Sequence, residues 1–103
     1  MNALTDHIRH ESERGVMLRV LTDWKLDWGP FHELRLQLMS RLGYRMPENQ
    51  ILFHLEYLVQ YGYAETRRLR PGRTETDLTA VRATSKAVDL FEGRIPMDPS
   101  IGF

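Results

Sequence analysis

The stretch from Met46 to Val81 constrains the fold more than any other part of the chain. It opens MPENQILFHLEYLVQYG, continues through YAETRRLR and PGRTETD, and closes on LTAV. The first piece predicts a helix. Pro47 suits a first helical position, where its missing N–H would have no partner. Glu48 follows as an acid near the positive end of the helix dipole. Ile51, Leu55 and Leu58 recur at i, i+4 and i+7, with Leu52 and Val59 beside them. A stripe of that width buries one side of a helix. Gly62 ends it where a left-handed cap belongs. The opposite stripe holds Asn49, Phe53, Glu56 and Gln60, flanked by Gln50 and Tyr57. Two aromatic rings among amides on an outward face point to contact with a partner. Thr66 to Arg70 then runs as a strand into the turn dipeptide Pro71-Gly72. Leu78 to Ala83 alternates as a returning strand would. The product is a hairpin with Arg70 and Arg73 at its tip.

The flanks read as support for this unit. Thr5 to Trp24 predicts a first helix in two parts. Its front, Asp6 to Arg14, is polar apart from Ile8. Its back, with Val16, Met17, Leu18, Val20, Leu21 and Trp24, is apolar on most sides. Gly15 between them is a weak point or a site of close packing. Lys25 to Trp28 has room only for a small edge strand or a turn. Gly29-Pro30 then starts a second helix, with Phe31, Leu34, Leu38 and Leu42 in phase, Leu36 and Met39 adding bulk, and Gly43 as its stop. The link Tyr44-Arg45-Met46 is short, so the second and third helices are neighbours. Thr84 is a good N-cap for a last helix over Lys86 to Glu92. There Ala87, Val88, Leu90 and Phe91 are available for burial, and Gly93 ends the helix. Residues 1–93 therefore form the domain. Residues 94–103 form an extended tail whose two prolines forbid a helix, yet it carries Ile95, Met97, Ile101 and Phe103.

Composition removes several function classes. At 103 residues the chain is one domain. It has no cysteine, hence no disulfide framework and no thiolate chemistry. No apolar run approaches membrane-spanning length and no signal-peptide pattern appears, so a protein of the cytoplasm is expected. Net charge is zero, which argues against a generally basic nucleic-acid coat. Charge is nonetheless uneven, with four arginines and one acid between Ala64 and Arg73. His7 and His10 stand at i, i+3 with Glu11 next, a spacing that can hold a metal, but the remaining ligands are not visible and no metal is expected. His32 and His54 have no cysteine or carboxylate cluster beside them in sequence. The serines sit in no nucleophile elbow and Pro71-Gly72-Arg73-Thr74 is no phosphate loop, so neither enzyme nor cofactor is expected.

The order is helix, short extended piece, helix, helix, strand, turn, strand, helix: mainly α with a small antiparallel sheet. LGYRMPENQILFHLEYLVQYGYAETRRL resembles bacterial winged helix-turn-helix regulators, in which helical leucines lead to Leu-x-x-x-Gly-aromatic and then a wing. Here those positions are Leu58, Gly62 and Tyr63. The end of the chain is similar to small winged-helix proteins of Mu-like phages and prophages, through Thr84, Asp89, Glu92-Gly93-Arg94 and Pro99, although Ala87 stands where many winged helices have glycine. The resemblance implies a phage or prophage origin in a bacterial cell.

It also implies duplex DNA binding, with the third helix in the major groove and the wing along phosphates. Asn49, Gln50 and Gln60 would read base edges, beside Arg45, Phe53 and Tyr57. Arg67, Arg68, Arg70 and Arg73 would hold the backbone. Against this, Pro47 to Gly62 contains no Arg or Lys, and it carries Glu48 and Glu56. The alternative is a protein-interaction module that uses the same face. The surplus apolar surface of the first helix and the tail leads to a further expectation, a homodimer in which the two cover each other across a two-fold axis. The competing arrangement is a tail that folds back over its own domain.

Overall fold

A computed structural model of the chain describes residues 3–68 and 78–102. Along them run helix α1 (Ala3–Asp23), strand β1 (Gly29–Pro30), helices α2 (Phe31–Leu42) and α3 (Glu48–Gln60), strands β2 (Ala64–Arg68) and β3 (Leu78–Ala83), and helix α4 (Ser85–Phe91). Arg70, Arg73, the Pro71-Gly72 turn and Phe103 lie outside the described residues. No helix among the described residues is long and apolar enough to cross a membrane.

Helix α1 is unbroken through Gly15 and runs through the middle of the molecule, packed by α2, α3, α4 and β3. Met17, Leu18, Val20 and Leu21 are therefore all fully buried. At 3.6 residues per turn these four residues span an arc of roughly 160°, and several elements together cover it. The tail completes the cover within the same chain. The Gly102 amide donates to the Glu11 carbonyl at 2.8 Å, and Arg14 Nε donates to the Ser100 carbonyl at 2.8 Å. Ile101 joins the core between them. Gly15 is the site of close packing: a Cβ there would lie 1.4 Å from the Gly102 oxygen. The apolar surface that suggested exchange between two chains is thus largely buried in cis, with Met97 left 71% exposed.

The edge strand falls later than Lys25 to Trp28. Lys25 and Leu26 take left-handed backbone angles (φ 55° and 67°) that turn the chain out of α1. Gly29 and Pro30 then pair with Val81 and Ala80. Glycine is needed at this place because the Trp24 ring lies over it; a Cβ would come within 2.2 Å of the ring. Pro30 fits an edge strand, where its missing donor costs little, and it caps α2 rather than opening it. Antiparallel β2 and β3 complete a sheet of order β1-β3-β2. Ala64 pairs with Ala83 and Thr66 with Val81 on the side facing the core, and the ladder is irregular between Arg67 and Arg68.

Helix α2 buries Phe31, Leu34 and Leu38, which repeat at i, i+3 and i+7, while Leu36 and Met39 face outward instead of adding to the core. Helix α3 buries Ile51, His54, Leu55 and Leu58, and Val59 is exposed. The buried stripe is therefore turned away from Val59 toward His54. Past its end the Tyr63 amide donates to the Leu58 carbonyl and the Gly62 amide to Val59, with Gly62 at φ 82°. This is the paired closure that a left-handed glycine permits. Gly93 (φ 76°) closes α4 the same way, through Arg94 to Asp89 and Gly93 to Leu90. Thr84 precedes α4 as expected, but its hydroxyl does not cap the helix; it donates to the Gly62 carbonyl at 2.5 Å and ties α4 to the end of α3.

Two substitutions check this packing. Leu55→Ala should lower unfolding stability by about 2–5 kcal/mol, the usual range for truncating a buried leucine. Gly15→Ala should push Gly102 off α1, so that residues near Ile101 lose hydrogen-exchange protection while the α2 and α3 amides keep theirs.

Candidate functional site

The outward face of α3 lies where the sequence pattern sets it. Asn49, Phe53, Glu56 and Gln60 are exposed, and Phe53 is 57% exposed despite its size. Phe53, Glu56, Tyr57, Val59 and Gln60 line a shallow depression along that face. Arg45 is exposed in the link before it. Gln50 and Tyr57 are different. Gln50 turns inward and donates to Glu13. Tyr57 is half-buried, with the Arg14 guanidinium 4.5 Å from its ring and the Tyr61 ring 4.6 Å away.

Beneath this face lies a polar cluster centred on Glu13 of α1, whose side chain has no solvent exposure. Tyr44 Oη donates to Oε2 at 2.5 Å, Gln50 Nε2 donates to Oε1 at 2.6 Å, and His54 Nε2 lies 3.0 Å from Oε1. Arg9 Nε is 3.4 Å from Oε2. Burial pushes the Glu13 carboxyl up, but hydrogen bonds from Tyr44, His54 and Gln50 outweigh it and hold the group below the usual carboxylate range. Burial also pushes the His54 imidazole down, which its bond to Glu13 only partly offsets. The physical reading is an ionised Glu13 facing a neutral His54 that carries its proton on Nε2. His54 Nδ1 is buried with no hydrogen-bond partner among the described residues.

Sequence reasoning missed this cluster. In sequence Glu13 is part of the polar front of α1, and Glu11 is the carboxylate next to His7 and His10. A signal did exist: Glu13 is in helical phase with Met17, Val20 and Trp24. A carboxylate on a buried stripe calls for donors from elsewhere. His54, likewise, is three residues past Ile51 and four before Leu58.

No protein-family model and no curated protein matches the chain. Among solved structures, a transcriptional regulator from Clostridium thermocellum is similar over 91% of this chain and 84% of its own, with a TM-score of 0.60 and 17% identity. At that identity the likeness is one of architecture. The fold is a winged helix-turn-helix.

In this fold α3 is followed directly by the β2–β3 pair, the base of the wing. Of the wing arginines, Arg67 and Arg68 lie among the described residues and both are exposed. The Arg67 guanidinium stacks 4.3 Å from the Trp28 ring, and Arg82 of β3 lies 4.5 Å from the same ring while bonding Glu65 at 3.3 Å. Arg67 is therefore steadied on β2 by the indole of the loop that follows α1. That stacking can hold a guanidinium in place while its edge still reaches an anion.

Stability should depend on pH through the Glu13 cluster. Glu13 and His54 both titrate lower in the folded chain than in the unfolded one, so acid adds protons to the unfolded state first. Their contribution is complete above the ordinary imidazole value of 6.5 and is lost as the pH falls, through the imidazole window and then the carboxylate window. Thermal melts from about pH 8 down to about pH 4 should show a falling Tm, and His54→Gln should flatten the upper part of that fall. Tyr44→Phe, which removes one donor from the carboxylate, should cost about 1–3 kcal/mol at neutral pH.

Proposed function

We propose that the chain binds duplex DNA as a small non-catalytic regulator or accessory protein, with the outer face of α3 in the major groove and the wing along the backbone. The observation that carries this reading is the exposed row Asn49, Phe53, Glu56 and Gln60, on the presented helix of a fold shared with a transcriptional regulator. Asn49 and Gln60 are the amides available to base edges. Gln50, which the sequence offered as a third, would first have to leave Glu13. Arg45, Arg67 and Arg68, with Arg70 and Arg73 beyond them in sequence, supply the cations for phosphate. A phage or prophage origin rests on Thr84, Asp89, Glu92-Gly93-Arg94 and Pro99. Four of these residues have defined side-chain contacts: Thr84 ties α4 to α3, and Arg94 bonds Asp89 at 3.0 Å and Glu92 at 2.5 Å.

A protein-interaction module is the second reading. It is favoured by an α3 without Arg or Lys, and by the exposed rings of Phe53 and Tyr61. Pairing of two copies is a separate proposal; the α1–tail contact is closed in cis within one chain, so a pair built on it would exchange tails. Sedimentation equilibrium reading a monomer at high concentration would end it.

Anisotropy with a random duplex at two salt concentrations tests the DNA reading. Affinity should fall steeply with salt. Arg68→Ala and Arg70→Ala should each flatten the slope of log K against log salt by about 0.9 while weakening all sequences alike. Asn49→Ala should shift sequence preference and leave the slope intact. A chain that binds no duplex at low salt would leave the protein-interaction reading.

A further inference from the structure

We propose that His10, Glu13 and His54 form a binding site for a divalent transition-metal ion of the zinc class, joining α1 to α3. The ligand atoms stand at suitable separations: His10 Nδ1 to His54 Nε2 3.4 Å, His10 Nδ1 to Glu13 Oε1 3.7 Å, and His54 Nε2 to Glu13 Oε1 3.0 Å. Nitrogen and oxygen ligands about 2.0–2.1 Å from a tetrahedral ion lie about 3.3–3.4 Å from one another. The three observed distances bracket that value, so an ion fits among them with side-chain shifts of a few tenths of an ångström. The arrangement comes from the backbone. His10 and Glu13 are one turn apart on α1, and His54 faces them from the buried stripe of α3.

The setting matches what a metal site requires. Glu13 and His54 are fully buried, which holds their geometry, while His10 is 38% exposed and leaves one side open to solvent. Three protein ligands and one open position accommodate a bound water. Tyr44 on Oε2 and Gln50 on Oε1 already orient the carboxylate, the outer support that metal-bound carboxylates commonly have. Two imidazoles and a carboxylate, with no thiolate, suit zinc, cobalt or nickel rather than a soft cuprous ion. The ion would sit where the His54 proton now points at Glu13. Neutral His54 then changes tautomer: Nε2 gives up its proton to solvent and Nδ1 takes one, with no net release. Nδ1 has no partner among the described residues in either tautomer. Two cations oppose the ion. Arg9 reaches Oε2, but its side chain is 46% exposed and can turn to water. Arg14 stays on the Ser100 carbonyl and the Tyr57 ring.

This inference is independent of the DNA reading, because its readouts are metal binding and melting temperature. The full chain, freed of metal by chelation, is titrated with zinc against a chromogenic chelator and with cobalt(II) by visible absorption. One zinc per chain, a Tm that rises with zinc concentration, and the intense absorption of four-coordinate cobalt would support the site. His10→Ala changes a part-exposed side chain, and circular dichroism of the variant checks that it folds. It should bind zinc about a hundredfold or more weakly, since even outer-shell losses cost up to about that much. Arg9→Ala should bind more tightly. No zinc binding by the intact chain would overturn the proposal. So would binding that survives His10→Ala, or binding lost only in His7→Ala.

Discussion

The fold depends on one buried charge. Glu13 lies inside the molecule on the central helix, and an ionised carboxylate in such a place must be met by donors or it destabilises the core. Its donors come from Tyr44, in the link between α2 and α3, and from Gln50 and His54 on α3. These bonds are directional. They hold α3 at one rotation about its axis, with Ile51, Leu55 and Leu58 toward the core and Asn49, Phe53, Glu56 and Gln60 toward solvent. Apolar packing alone would tolerate a small rotation that put Val59 inward. The carboxylate does not, because His54 and Gln50 would lose it. The outward surface and the polar interior are thus two consequences of one constraint.

A second constraint closes the chain on itself. The tail crosses α1 at Gly15, where any Cβ would strike the Gly102 backbone. Ile101 fills the gap beside it, and Asp98 accepts from the Tyr63 hydroxyl at 2.9 Å. Burial and that bond push the Tyr63 hydroxyl up to about 12, so it remains a donor through the neutral range. Arg14 bridges the two constraints. Its guanidinium bonds the tail at Ser100 and stacks on Tyr57 of α3, one residue from Glu13. The first helix therefore holds both the tail and α3.

Much of this was legible from local pattern. The stripes in α2 and α3, the glycine stops at Gly43, Gly62 and Gly93, and the β2–β3 pairing follow from periodicity and backbone preference, which act over a few residues. What was not legible depends on distant partners. Glu13 meets groups that are far along the chain, so its polarity read as exposure. Gln50 and Tyr57 looked like part of an outward face because a helical wheel cannot show which polar group has a buried acceptor. A two-residue strand has no period to detect, and Gly29 is explained only by the Trp24 ring that packs on it. The tail's apolar residues raised the right question, but composition could not say whether the surface that covers them belongs to the same chain. The Arg67 stack on Trp28 was hidden for the same reason, and the tip of the wing lies outside the described residues.

The Glu13 cluster joins α1 to α3 and to the link that precedes it. Whatever partner meets Asn49, Phe53 and Gln60 meets a face whose orientation is set from within. The most direct test of that account is an NMR titration of the Glu13 side-chain carboxyl and the His54 ring nitrogens in metal-free protein. The account predicts a Glu13 carboxyl that stays ionised to below its ordinary value of 4.5, and a neutral His54 protonated on Nε2 at neutral pH. A Glu13 that holds its proton in neutral solution, or a His54 protonated on Nδ1, would contradict it.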